Sequence, residues 1–361
     1  MTRYLLAGGG TAGHVNPLLA LADAITATEP ESELWALGTA EGLEARLVPD
    51  RGYRLLTVAR LPFPRRINVQ ALKFPLRYRA SVAKVVRILK ENRIDVVVGF
   101  GGYASAPAYT AARRLGIPVV VHEANALPGM ANRMAARRAS AVGVAFRNTQ
   151  LPNATFVGMP LRREVEQLAA GIPTADRVAA RAHFGLEEAT PTLLVTGGSL
   201  GAKRINDTIE ASRTALRNAG IQVLHIVGDR SELEVESSTD FVRLKYCDRM
   251  DLAIAAADFA VCRAGAATVS EFTAVGLPAV YVPYPVGNGE QRFNVEDVVD
   301  AGGGLLCLDA DFTPEYVNNN LIPLVSDSRA RALIANAAKA VGVADGSARL
   351  LALTQSVLAK P

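Results

Sequence analysis

Short apolar runs alternate with longer amphipathic stretches along most of the chain. In its first part, strand-like runs fall at residues 3–7, 34–38, 53–58, 95–99, 118–121, 141–144 and 155–157. Helical spacing covers 16–27, 40–48, 69–90, 104–115 and 130–138, with Pro49 marking the stop of the second. The strand-like runs lack a polar face, which predicts a parallel sheet covered by helices on both sides. The pattern restarts with an apolar run at 192–196 and a helix over 203–218, followed by runs at 222–227, 241–246, 259–262, 279–282 and 305–307. The charged run 229–236 reads as a solvated loop and helix face. The expected fold is α/β: two doubly wound, Rossmann-like domains facing across a cleft. They span 1–160 and 161–345, joined by the proline-bearing linker 158–162. A last helix within 346–361 either completes the first domain or packs on the second.

Composition narrows the class. A chain of 361 residues exceeds what one hydrophobic core usually supports, and half of it is apolar, so a disordered chain is excluded. Three cysteines, Cys247, Cys262 and Cys307, form no close pair, which argues against a disulfide framework and fits a reducing compartment. Glycines interrupt any signal-peptide core near the start, and glycine and proline break the long uncharged stretches 96–112 and 272–289. The formal net charge is +4, yet residues 60–93 carry ten basic side chains against the single acid Glu91. Such a cluster calls for an anionic partner: lipid, nucleic acid or a phosphorylated substrate.

Two glycine-rich turns follow first strands in matched positions. Residues 8–13 read Gly-Gly-Gly-Thr-Ala-Gly, and 197–201 read Gly-Gly-Ser-Leu-Gly. Such turns bring backbone N–H groups to an anion at a helix start. The first satisfies GxGxxG, but no acid ends the next strand to hold a ribose, which argues against a dinucleotide oxidoreductase. No P-loop exists. Further clusters, 100–105 and 263–271, also follow strands, and ligands of open parallel sheets bind at strand carboxyl ends.

Candidate chemistry gathers there. His14 closes the first turn, placed as a base, and Glu123 is a rival base with Asn125 beside it. Glu271 is spaced to accept both hydroxyls of a ribose, and Gln291 and Asn294 offer amides suited to sugar hydroxyls. Arg162 and Arg263 answer phosphate charge. Asp309 and Asp311 have the spacing of a nucleotide-sugar metal motif but read more simply as loop and capping residues, and no metal site is expected.

The runs Leu6 to His14, Gly101-Gly-Tyr103, His122-Glu-Ala-Asn125, Gly197 to Ala202, Cys262 to Gly265 with Ser270-Glu271, and Glu290-Gln291 with Asn294 together resemble the MurG family of bacterial GlcNAc transferases. The pattern departs from the usual one at Ala12, Ala124, Met159 and Leu200. The resemblance implies a GT-B fold and inverting transfer of GlcNAc from UDP-GlcNAc to the C4 hydroxyl of undecaprenyl-diphospho-MurNAc-pentapeptide, with no metal required for the chemistry. It implies an acceptor diphosphate near residues 9–13 and Tyr103, with Thr11 and Gly13 among the binding residues. Gly198 and Ser199 would meet the donor phosphates, Arg162 and Arg263 would contact nucleotide or phosphate, Glu271 the ribose, and Gln291 and Asn294 the sugar. The basic stretch, including Arg65, Arg66, Lys73, Arg77 and Arg79, would rest on anionic lipid at the cytoplasmic face of the membrane, beside cell-wall synthesis and division proteins and away from nucleic acid. A UDP-GlcNAc 2-epimerase and an inactive UDP-sugar-binding scaffold are the competing readings.

Overall fold

A computed structural model describes residues 1–64, 69–198, 201–286 and 289–359. It divides into two compact units, 1–162 with 345–361, and 163–344. The first is built on strands β1 (Arg3–Ala7), β2 (Glu33–Gly38), β3 (Arg54–Thr57), β4 (Val96–Gly99), β5 (Val119–Glu123), β6 (Ala141–Val144) and β7 (Ala154–Phe156). Their order is β3-β2-β1-β4-β5-β6-β7, every pair parallel. The order reverses between β1 and β4, the point where doubly wound sheets open a crevice. Helix α1 (Ala12–Thr28) follows β1 and α2 (Glu44–Asp50) follows β2. The apolar strands are sandwiched: Tyr4, Leu6, Val96 and Val98 pack to one side with α1, while Leu5, Val97 and Val121 pack to the other.

The final helix, Gly346–Leu358, lies in this first unit. Leu350 and Val357 join the Tyr4–Leu18 cluster, and Gln355 Nε2 donates to Glu29 Oε1 at 2.6 Å.

The second unit repeats the design with β8 (Thr192–Thr196), β9 (Gln222–Ile226), β10 (Glu236–Ser237), β11 (Phe241–Leu244), β12 (Phe259–Cys262), β13 (Ala279–Tyr281) and β14 (Leu305–Leu306). The order is β10-β11-β9-β8-β12-β13-β14, parallel except for β10 on β11. Leu193, Val195, Val261 and Phe312 belong to its core cluster. Cys247, Cys262 and Cys307 are free and buried.

Several boundaries differ from the sequence expectation. The first helix begins at Ala12, so His14 lies within its opening turn. Pro49 does not stop α2, which runs on to Asp50, because a proline in a last turn removes only one donor. Strand β5 extends through His122 and Glu123, which are strand residues instead of a following loop. The helix expected over 203–218 is two, Lys203–Ala211 and Arg213–Asn218, broken at Ser212, whose hydroxyl bonds back to the Thr208 carbonyl at 2.8 Å. The run 229–236 holds no helix; its end becomes edge strand β10, where Glu236 pairs with Arg213 and Arg243.

Candidate functional site

In the first unit three strand ends converge at the β1/β4 crevice. Residues 8–10 leave β1 and Gly10 takes a φ of +92°, a conformation that favours glycine. Gly102, in the loop after β4, also has positive φ, +82°, and a Cβ there would collide with the Gly9 carbonyl, so the two loops touch through backbone alone.

His14 is half-buried, and its Nδ1 lies 3.1 Å from the Gly9 carbonyl and 3.3 Å from Thr11 Oγ1. A carbonyl only accepts, so Nδ1 carries a proton in this contact, and in the neutral ring the lone pair then lies on Nε2. A Cβ on Gly101 would sit 3.1 Å from Nε2; the glycine keeps that edge of the ring clear. Thr11 is exposed, Gly13 half-buried in the first turn, and the Arg60 guanidinium lies over the Tyr103 ring at 5.2 Å.

Glu123 is 2% exposed and enclosed by donors. Oε1 accepts from the Asn125 N–H at 2.9 Å, and Oε2 from the Gly129 N–H and Asn132 Nδ2, both at 3.0 Å. Burial raises its carboxyl above the ordinary range against those hydrogen bonds. Asn125 is half-buried and its carbonyl accepts from Thr149 Oγ1 at 3.2 Å.

Two residues the sequence did not single out organise this crevice. Asn132 ties Glu123 to the His122 carbonyl and accepts from Tyr109 Oη. Glu44, 1% exposed, reaches under the first glycine turn from α2. Oε2 accepts from the Gly10 N–H at 2.8 Å, and Oε1 from the Thr39 N–H at 2.7 Å and Thr39 Oγ1 at 2.8 Å. Burial alone would raise this carboxyl, but the Gly10 and Thr39 donors outweigh it and hold it below the ordinary range. Gly10, inside the stretch expected to meet the acceptor diphosphate, thus gives its N–H to a carboxylate of the chain itself.

In the second unit the turn after β8 uses the same backbone economy. Gly201 has φ +81°, and a Cβ there would collide with the Val227 carbonyl. The Gly198 N–H reaches Thr196 Oγ1 at 3.3 Å. Ser199 and Leu200 lie outside the described residues, as do residues 287 and 288. Arg263, after β12, is held by its own unit: Nη1 lies 2.6 Å from Asp309 Oδ1 and donates to the Val282 and Pro283 carbonyls at 3.1 and 3.2 Å. Its guanidinium lies over the Tyr284 ring. Asp309 is thereby an ion-pair partner in a short 3₁₀ turn.

Glu271 is buried on helix Ala266–Val275, which begins just past Gly265. Gln291 Oε1 accepts from the Tyr284 N–H at 2.9 Å, and Asn294, 1% exposed, donates to the Ala264 carbonyl at 3.2 Å. The two amides therefore brace the loops that follow β13 and β12. Arg162 is half-buried at the end of the first unit. Among the described residues no group of three His, Cys, Asp or Glu side chains is placed to hold a metal ion.

Comparison with known proteins places these features in a family. Residues 4–144 match the glycosyltransferase family 28 N-terminal domain, and 192–350 match the family 28 C-terminal domain. A UDP-N-acetylglucosamine--N-acetylmuramyl-(pentapeptide) pyrophosphoryl-undecaprenol N-acetylglucosamine transferase of Leifsonia xyli subsp. xyli is 59% identical over 362 residues, covering 99% of both chains. The protein of that name from Streptomyces coelicolor is 47% identical over 359 residues, covering 98% of each. Among solved structures, Acinetobacter baumannii MurG matches with a TM-score of 0.77 and 26% identity, over 99% of this chain and 100% of that one. A UDP-N-acetylglucosamine 2-epimerase matches at TM-score 0.64 but 13% identity, a likeness of fold alone. With both domain models matched in order, and relatives about half identical or more along its length, the chain belongs to glycosyltransferase family 28, two Rossmann-like domains of the GT-B class.

Proposed function

We propose that this chain transfers GlcNAc from UDP-GlcNAc, with inversion, to the C4 hydroxyl of MurNAc in undecaprenyl-diphospho-MurNAc-pentapeptide, the lipid-linked precursor of peptidoglycan. One observation carries the substrate assignment: 59% identity across 99% of both chains to a transferase of that name. The His14 geometry supports the mechanism. A single displacement needs one base and stabilisation of the departing diphosphate, and no protein nucleophile. His14 Nε2 takes the hydroxyl proton as the oxygen attacks the anomeric carbon from the side opposite UDP. Glu123, with both oxygens already engaged by Asn125, Gly129 and Asn132, shapes the loop after β5.

In the second unit the N–H groups of the turn containing Gly198 and Ser199 meet the donor diphosphate. Glu271 accepts from the ribose, Gln291 and Asn294 brace the sugar side, and Arg162 and Arg263 add positive charge. Acceptor-dependent UDP release, with the disaccharide lipid as product, is the expected result with a short-chain lipid-linked MurNAc-pentapeptide. UDP-GlcNAc binding with no product would leave a scaffold, and a changed sugar without acceptor would indicate an epimerase.

The chain also rests on anionic lipid at the cytoplasmic face of the membrane. Among the described residues no helix is long and apolar enough to cross a membrane. Helix Val69–Glu91 instead exposes Leu72 and Leu76 at 76% and 71% beside the exposed Lys73, Arg77 and Arg79, with Phe63 exposed nearby in sequence. Arg65 and Arg66 lie outside the described residues. Each well-placed cation adds about 1 kcal/mol of attraction to anionic lipid. Vesicles containing phosphatidylglycerol should bind the wild type and release a Lys73, Arg77 and Arg79 triple-alanine variant; equal binding by both removes this part of the proposal.

A further inference from the structure

The peptide group between Gly9 and Gly10 is hydrogen-bonded at both ends. Its N–H donates to Glu44 Oε2 at 2.8 Å, and its C=O accepts from His14 Nδ1 at 3.1 Å. We infer that Glu44 is a positioning residue for His14, acting through this one peptide group as a carboxylate–amide–imidazole relay. The inference rests on the proposed transfer reaction for its purpose, but not for its geometry.

Hydrogen bonds in series polarise one another. A carboxylate drawing on the amide N–H makes the carbonyl at the other end a stronger acceptor. That carbonyl then holds the proton on His14 Nδ1 and leaves the lone pair on Nε2, the edge that Gly101 keeps clear. When Nε2 gains a proton, the growing imidazolium charge faces an amide already polarised by an anion. Glu123, the other buried carboxylate of the crevice, engages Asn125, Gly129 and Asn132 and shows no such chain to His14 among the described residues.

The chain makes room for this arrangement. A Cβ on Gly9, Gly38 or Gly42 would collide with the Glu44 side chain, so three glycines enclose one carboxylate. Three donors converge on it, and a glutamine would present an N–H to one of them.

Two-bond ¹H–¹⁵N NMR of the imidazoles, above the ordinary histidine titration range, reads the tautomer in the substrate-free protein. Wild-type His14 should be protonated at Nδ1. Glu44→Gln should shift a large share to the Nε2–H form and lower kcat about tenfold or more, part of the 10²–10⁴ a positioned base contributes. KM for UDP-GlcNAc should stay within about twofold, since the donor is held elsewhere. Tyr4→Phe, which removes the Tyr4–Glu29 hydrogen bond in the same unit, should lower the melting temperature while leaving tautomer and kcat alone. An Nε2–H tautomer in wild-type His14 would overturn the relay even if Glu44→Gln does not fold, as would an unchanged tautomer and kcat in a folded Glu44→Gln. Wild-type protein lacking acceptor-dependent UDP release would instead remove the transfer reaction and leave the tautomer result standing.

Discussion

The two glycine turns share a plan and differ in what lies against them. Both follow the first strand of a doubly wound sheet, both lead into a helix, and both make a close backbone contact with a neighbouring loop, the Gly9 carbonyl against Gly102 in one and Gly201 against the Val227 carbonyl in the other. Beneath the first sits the ionised carboxylate of Glu44, bonded to the Gly10 N–H. In the second, the Gly198 N–H meets the neutral hydroxyl of Thr196. A turn with an anion already bound to it is a poorer host for phosphate and, on the proposed function, a better frame for a histidine that takes up a proton. The turn whose described Gly198 N–H meets a neutral hydroxyl is the one proposed to meet the donor diphosphate. On the proposed function, the same local fold serves two chemistries that one buried charge distinguishes.

The sharpest break of that comparison is a methyl group. Gly101→Ala places a Cβ against His14 Nε2 at a position with φ +94° and should cut turnover more than about a hundredfold, read in the acceptor-dependent UDP assay. Gly201→Ala should act on stability: positive φ and the Val227 collision cost about 3 kcal/mol together, measured by urea unfolding. If Gly201→Ala left stability unchanged, the contact with the Val227 carbonyl would not be what fixes the second turn.

Acid acts on each unit through one buried histidine. Burial pushes His122 down to about 4, against its hydrogen bond to the Gly158 carbonyl, and burial with nearby Arg243 pushes His225 down to about 3. Above the ordinary histidine value of 6.5 both states are neutral and neither residue affects stability. As pH falls below it, the unfolded chain takes up protons that the native state refuses, so stability is lost. The loss levels off once the folded-state values are passed. It amounts to about 3 kcal/mol for His122 and somewhat more for His225. Urea midpoints between pH 7 and 4 should therefore fall less steeply in His122→Gln and His225→Gln than in wild type.

Arg263→Ala leaves the mostly buried carboxylate of Asp309 with only the longer contact to Arg204 at 3.9 Å among its ion pairs and should cost about 2 kcal/mol, less when Asp309 is replaced as well. Titration with UDP-GlcNAc checks whether donor affinity falls further than that loss explains. Gln291→Ala, which removes one exposed hydrogen bond to the Tyr284 N–H, should cost only about 0.5 kcal/mol, and mainly raise KM for the donor.

Much of this was legible along the chain because buried parallel strands must be apolar on both faces. Residues 3–7, 192–196 and 259–262 therefore announce their strands within themselves. Glycine turns are equally local, since a positive φ or a backbone contact leaves no room for a Cβ. Glu44 was not legible. In the sequence it is an acid in the first turn of a short helix, 34 residues from the N–H it accepts. Asn132 is hidden likewise, an ordinary helical asparagine until β5 brings Glu123 to it.

Patterning by itself determined the alternation of elements, the two sheets, the four glycine-bearing strand ends and the placement of His14 at a helix start. All of these follow from neighbours within a few residues, where periodicity and backbone sterics act. Only the tertiary structure decided that the last helix packs against α1 and β6, that Arg263 pairs with Asp309, and that a carboxylate lies beneath one turn and a hydroxyl beneath the other. Those outcomes depend on which distant groups share a desolvated space, where every donor and charge needs a partner, and chain order does not encode that proximity.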